Sequence, residues 1–497
     1  MKTTFLLAIT IAAAVASAQS PVMAAESTNL ASGQAAPGAA PSLRVVVDPR
    51  VELMSLIFRL AGNREYNMAR VKSYADDAEQ HFGKYRDHAV VTLARELRNT
   101  HGVSYDAVMS MAVNLTDAEN LQLKLPLEPW PEGLDQRWTA PDVSNFLVAA
   151  RQFVKDSSFQ EFIAQHRSLY QTTVARMRTL MQKEGHLEWF DAYFGPRSQA
   201  GFTIALGLLN GGGCYGPHFR AADGREDLYC VLGVWQTDKQ GLPEFTRDAL
   251  GTVVHEFCHS YANPLIARHQ AELEASGDAL FEHVADRMRS QAYGNGHTLL
   301  CESLVRVSVI RYLRQYEGEE AARRAIQTEK RNGFLWMQEL ADLLADYEAH
   351  RDQYPTLEDF SPRLVAFFAE SAKNLPKTMA DLAAKRPKVV SMIPANGAQD
   401  VDPGLTAIQV VFDRPMTDKS WSLVGGGPHF PKTGKGAHFD AQRKSWTVPV
   451  ELKPDWSYEF MLNSQTYDAF RSEEGVPLEP VSVTFKTAGQ KGAEQPK

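Results

Sequence analysis

Positive charge is the first thing this chain lacks. Its 52 Lys and Arg are outnumbered by 60 Asp and Glu, for a net charge of −8, which leaves no basic footprint for nucleic acid and no polybasic patch for an anionic membrane. Long apolar runs are also scarce. After one stretch from Phe5 to Ala16, no run is long enough to span a bilayer, and no cysteine stands directly after that stretch, so a lipid anchor is not indicated. Cysteine occurs four times, at Cys214, Cys230, Cys258 and Cys301, which allows three complete pairings in an exported chain. The composition is not that of a disordered protein. With 44% hydrophobic and 23% charged residues over 497 positions, there is material for two or three domains with proper cores.

The chain opens with Met1-Lys2, the apolar stretch and the small residues Ala16-Ser17-Ala18, followed by a second candidate cut near Ala24 to Ala25. Residues 1–25 therefore read as a secretory signal peptide, and export to the periplasm or medium is expected. Residues 26–42, rich in Ala, Gly, Ser and Pro, read as a flexible linker. Residues 43–385 form the main domain. A short strand at Leu43 to Val47 is followed by helical periodicity to about Trp189, then β-rich segments at Phe202 to Leu209 and Leu228 to Trp235. Helices follow at about Ala267 to Ala292, His297 to Tyr316, Glu319 to Lys330, Leu335 to His350 and Leu357 to Lys373. From residue 386 to 488 short alternating strands predict a small immunoglobulin-type sandwich, and 489–497 reads as a disordered tail. The fold class expected is α+β, a mainly helical domain with a small sheet followed by an all-β sandwich.

Between the β-rich segments and the later helices lies Val254-His255-Glu256-Phe257-Cys258-His259. Positions i and i+4 of a helix share a face, so His255 and His259 can offer two imidazole nitrogens to one Zn²⁺. Glu256 falls about 100° round the helix, where its carboxylate can serve a water as general base without ligating the metal. With 14 His in the chain, chance gives roughly 0.03 such H-E-x-x-H matches. The competing reading is a buried amphipathic helix with two satisfied histidines. Pro264 is expected to end this helix, with Asn263 either orienting a ligand or capping the C-terminus. The triple glycine Gly211 to Gly213 either admits a substrate backbone or forms a hairpin loop.

A catalytic zinc needs a third protein ligand. No His stands at the metzincin spacing, where Leu265 is found, so a carboxylate is expected. Glu302 sits among Leu299, Leu300, Leu304 and Val305, and a buried carboxylate needs a partner, either Zn²⁺ or Arg306 one turn on. Glu282 is the alternative, in an E-x-x-x-D pattern with Asp286 but on a strongly charged helix. Cys214 and Cys230, near two neighbouring strands, are the expected disulfide, while Cys258 and Cys301 read as buried thiols.

The segments Val254 to Leu265, Gln291-Ala292-Tyr293-Gly294-Asn295 and Glu302-Ser303-Leu304-Val305-Arg306 together resemble a family of secreted bacterial proteins known as a domain of unknown function and predicted to be zincin peptidases. The resemblance spans roughly 43 to 377 and implies Glu302 as the ligand, as in gluzincins. Val390 to Ala398 and Val411 to Met416 are similar to bacterial Ig-like domains of the surface-layer protein type, implying an adhesive or spacing role in contact with the cell envelope. The activity expected is zinc-dependent hydrolysis of a peptide or protein substrate, with one Zn²⁺ and Glu256 as base. Tyr293, His297 and Arg306 are the candidate oxyanion donors, Tyr293 first among them. The rival expectations are a zinc hydrolase of another amide, such as cell-wall peptide, and a non-catalytic envelope-binding protein.

Overall fold

The computed structural model describes residues 42–197, 199–464 and 467–489. The expected signal peptide and most of the linker and tail lie outside them. Helix makes up 48% and strand 16% of the chain, so the class is mixed, and two compact units meet at the Ala372–Lys373 bond.

The first unit begins with β1 (Leu43–Val46) and α1 (Pro49–Leu60). Asp48 ends the strand and caps the helix, its Oδ1 accepting the Arg50 amide at 2.9 Å, and Pro49 occupies the first helical turn. The helices α2 (Lys72–Phe82), α3 (Ala89–His101), α4 (Asp106–Asn114), α5 (Ala140–Asp156), α6 (Phe159–Gln165), α7 (Arg167–Glu184) and α8 (Glu188–Phe194) follow. Several of them bury their apolar faces, including Phe58, Tyr66, Phe82, Phe146 and Phe153, in a common core.

Strands β2 (Ala200–Gly207) and β5 (Glu226–Gly233) are parallel neighbours, with Phe202 opposite Leu228, and β1 joins the other side of β2, also parallel. The segment between them carries β3 (Cys214–Tyr215) and β4 (His218–Arg220), both folded back antiparallel onto β5. A hairpin between the two β-rich segments is thus excluded by their direction. Its glycines meet the chain's own atoms: a Cβ on Gly211 would strike the Glu65 carbonyl, and one on Gly213 the Tyr215 hydroxyl. The small hairpin β6 (Gln236–Thr237) and β7 (Pro243–Glu244) leads into α9 (Asp248–Arg268).

Helix α9 packs on β5 with one side and on α11 (Gly296–Glu317) with another. Phe257 wedges edge-on between Phe190 and Phe202, a burial that contributes about 1.5–3 kcal/mol. Helices α10 (Gln270–Arg289), α12 (Glu319–Arg331) and α13 (Met337–Ala349) complete the unit, and α14 (Ser361–Lys385) carries the chain across the unit boundary.

Pro264 does not end α9, which continues to Arg268. Proline cannot donate to the carbonyl four residues back, that of Ser260. Arg197 supplies the missing donor, its Nη1 reaching Ser260 O at 2.9 Å. The same guanidinium pairs with buried Glu226 at the start of β5, at 2.6 Å, and lies over the Tyr261 ring.

The second unit holds two antiparallel sheets. One joins β10 (Leu423–Val424), β14 (Ser457–Leu462) and β15 (Val481–Lys486). The other orders β11 (Lys432–Thr433), β13 (Ser445–Glu451), β9 (Ala407–Phe412) and β8 (Val389–Ile393), with β12 (His438–Phe439) also on β13. Alternate residues Ile408, Val410 and Phe412 of β9 share a core with Trp446, Phe460 and Phe485 from both sheets. Among the described residues, no helix is long and apolar enough to cross a membrane.

Candidate metal centre

His255 and His259 stand one turn apart on α9, and Glu302 reaches them from α11. Their donor atoms converge: His255 Nε2 to His259 Nε2 is 3.2 Å, His259 Nε2 to Glu302 Oε1 is 3.6 Å, and His255 Nε2 to Glu302 Oε2 is 3.8 Å. A tetrahedral ion with bonds of about 2.1 Å separates its ligands by about 3.4 Å. Two imidazole nitrogens and the carboxylate therefore fit a single small cation, and among the described residues this is the group of His, Cys, Asp and Glu side chains so arranged.

Each donor is held in the form a cation needs. Burial lowers the His255 pKa to about 3 against the opposing pull of Glu302, which keeps the imidazole neutral. His259 Nδ1 lies 3.2 Å from Asn263 Oδ1, so Nδ1–H donates there and Nε2 keeps its lone pair. Because α9 runs past it, Asn263 is no helix cap. Burial pushes the Glu302 carboxyl up, but Arg306, the two histidines and the Tyr293 hydroxyl outweigh it and hold the pKa down at about 2.

Glu256 stands outside the trio. It is buried, next to His255 in α9, and its charge acts on Cys214 of β3, Cys230 of β5 and Cys258 as well as on the Glu302 side. Burial first, then Glu302 and Asp106, raise its pKa, opposed by Arg306. A divalent cation beside it would reverse that shift by favouring the anion. Gly216, between β3 and β4, makes the close approach of the sheet to α9 feasible. A Cβ there would run into the Glu256 carbonyl and press on His259 Cβ at 3.2 Å.

The other candidates separate. Glu282 is exposed on α10, away from the trio. His297 is exposed, with Nε2 3.6 Å from Cys301 Sγ. Arg306 is fully engaged, by Glu302, Glu329 and Tyr293. Tyr293 is half-buried, its oxygen accepts from Arg306 Nη2 at 2.8 Å, and its own proton is engaged by the Glu302 carboxylate. The expected Cys214–Cys230 disulfide is not formed: all four cysteines are free. Cys214 faces Leu232, so Cys230 lies on the diagonal, where Cα atoms are about 7–8 Å apart, beyond the reach of a bridge. Sequence reasoning missed Glu329, Arg197 and Gly216, whose roles depend on contacts from distant segments.

No curated protein matches the chain. Among solved structures, it is similar to the surface layer protein SbsC, domains 1-6, at 17% identity with a TM-score of 0.17, covering 48% of this chain and 33% of that one. The S-layer protein rSbsC(31-844) gives 16% identity and a TM-score of 0.16, with 52% and 35% covered. The chain thus spans about a third of the length of these proteins, and likeness at such scores carries no argument. A family model matches residues 43–367, well over half of the sequence and all of the residues around the trio. The chain belongs to the family described as Domain of unknown function (DUF4932).

Proposed function

We propose that this chain is an exported zinc-dependent metallopeptidase of gluzincin type, with its ion held by His255, His259 and Glu302. The observation that carries the reading is the convergence of two imidazoles and a carboxylate at ligand spacing, with a second carboxylate, Glu256, beside them but outside the set. Two nitrogens and one oxygen suit zinc among the common divalent ions. When bound there, the ion would polarise a scissile carbonyl and acidify water.

The chain's own residues do the remaining work. Glu256 takes a proton from water and passes it to the leaving amine. Tyr293, with its oxygen pinned by Arg306, would release Glu302 and turn its proton toward the developing oxyanion. Strand β3 stands at the end of its sheet, where an extended peptide can add to the free edge. The second unit reads as an Ig-like sandwich, supported by its two antiparallel sheets around one core, with an attachment or spacing role at the cell envelope.

The test is metal content and peptide hydrolysis in the same preparations. The wild-type chain should hold one zinc, and Glu302→Ala should lose it. Glu256→Gln should keep the zinc and lose roughly 10²- to 10⁴-fold in hydrolysis, and Tyr293→Phe should lower kcat with zinc retained. A folded wild-type chain that neither carries zinc nor takes it up rejects the reading. Full zinc with unchanged ligand binding and no hydrolysis in any variant would leave an envelope-binding protein instead.

A further inference from the structure

Arg306 lies one turn beyond Glu302 on α11, and its three nitrogens face three different groups. Nε donates to Glu302 Oε2 at 3.0 Å, Nη1 to Glu329 Oε2 at 2.5 Å, and Nη2 to the Tyr293 oxygen at 2.8 Å. The guanidinium plane also lies 4.8 Å from the Phe334 ring. The side chains of Glu302, Arg306 and Glu329 are only 8%, 14% and 17% exposed, so water screens this charge cluster weakly.

Glu329 comes from α12 and is itself fixed, accepting from Asn332 Nδ2 at 3.1 Å. The Asn332 carbonyl accepts from Gln291 Nε2 at 2.8 Å, two residues before Tyr293. Between them Ala292 holds φ at 69°, a left-handed conformation that a residue with a Cβ adopts at a cost. The tyrosine loop is thus tied to the end of α12 from two sides, through the backbone and through Arg306.

The charge arithmetic of the cluster needs Glu329. An arginine bonded to a ligand carboxylate competes with a cation for the same oxygen, and its positive charge opposes a second cation nearby. With Glu329 on its far side, Arg306 divides its charge between two carboxylates. Glu302 then keeps Oε1 free to face His259, while Oε2, which faces His255, is held in place by the arginine. Without Glu329 the arginine and Glu302 would close on each other as a neutral pair.

We propose that Arg306 and Glu329 are positioning residues of the metal site: Arg306 fixes the Glu302 carboxylate and the Tyr293 hydroxyl, and Glu329 supplies the negative charge that lets Glu302 serve a cation despite the arginine. This rests on the reading of His255, His259 and Glu302 as a divalent metal site.

The experiment is a zinc titration of the full chain against a chromophoric chelator at fixed pH, beside hydrogen exchange of the α11 and α12 amides in the metal-free protein. Glu329→Gln should weaken zinc binding about 10- to 100-fold, as loss of a group behind the ligands does. Glu329→Asp, which keeps the charge, should recover most of that loss. Glu348→Gln is the control, since Glu348 makes a similar pair with Arg311 of the same helix away from the trio. It should leave the zinc affinity unchanged. Faster exchange of these amides in Glu329→Gln with wild-type zinc affinity overturns the proposal and leaves a structural ion pair. So does a Glu329→Asp chain that binds zinc no better than Glu329→Gln. Absence of zinc binding by the wild-type chain is a different result, which removes the metal site itself.

Discussion

Replacing Arg197 tests how a proline is tolerated inside the helix that bears both histidines. Arg197→Met leaves the Ser260 carbonyl without a donor, because Pro264 has no N–H to give, and an unsatisfied buried carbonyl costs about 1–3 kcal/mol. Buried Glu226 also loses one of its two arginines, keeping Arg220. Together these put the loss at about 3–4 kcal/mol, in the range for breaking a buried pair. Pro264→Ala restores an N–H aimed at Ser260 O, so in that background Arg197→Met should cost about 1–2 kcal/mol less. Since the chain has two compact units, a global melting curve would mix their transitions. Hydrogen exchange of the amides along α9 reports the relevant unit alone. Effects that simply add, within about 0.5 kcal/mol, would refute the assignment of Arg197 as the replacement donor.

Three further outcomes follow from the same structure. Glu52 is buried on α1, where desolvation raises its pKa to about 7 against the opposing Tyr74 and the Leu208 amide at 2.6 Å. The folded state therefore binds a proton that the unfolded state releases at ordinary carboxylate pH. Its contribution is complete in acid and is lost between pH 4.5 and about 7, by roughly 3 kcal/mol. Denaturation of Glu52→Gln should be flatter across that window than wild type, and equal slopes would contradict the assignment. Gly216→Ala should displace β3 and β4 from α9 and cost about 3 kcal/mol or more, as overpacking against backbone does, measured by hydrogen exchange of the α9 amides; a near-neutral result would mean that the loop is not pressed on the helix. Peptide mapping without reductant should find Cys214, Cys230, Cys258 and Cys301 all unbridged, and a Cys214–Cys230 peptide would show that the strand register is wrong.

The parts of this molecule that were legible in the sequence are those written in local spacing. The interval between His255 and His259 places them on one helical face, and the apolar neighbours of Glu302 mark its carboxylate as one in need of a partner. The helix expected over Glu319 to Lys330 runs Glu319–Arg331, and the strand expected over Ser457 to Leu462 has those limits. Pro264 misled because its cost depends on whether another donor reaches Ser260, and Arg197 arrives from the loop before β2. The direction of β2 against β5 was equally hidden, since alternation of apolar residues is the same in parallel and antiparallel pairs. Glu329 carries no local mark either: in its own helix it is one acid among many charged residues.

The donor atoms of the trio stand 3.2 to 3.8 Å apart on two helices that pack through their own apolar faces. The cage is therefore preorganised by the fold, and a cation entering it does not have to fold the chain to create its site. Small zinc modules behave in the opposite way and unfold when the ion is withdrawn. If the trio binds a cation as proposed, each tenfold excess of metal over Kd would add about 1.4 kcal/mol to a chain that is already folded. On the proposed metal-site reading, metal scarcity would accordingly leave folded chains with an empty cage rather than unfolded ones.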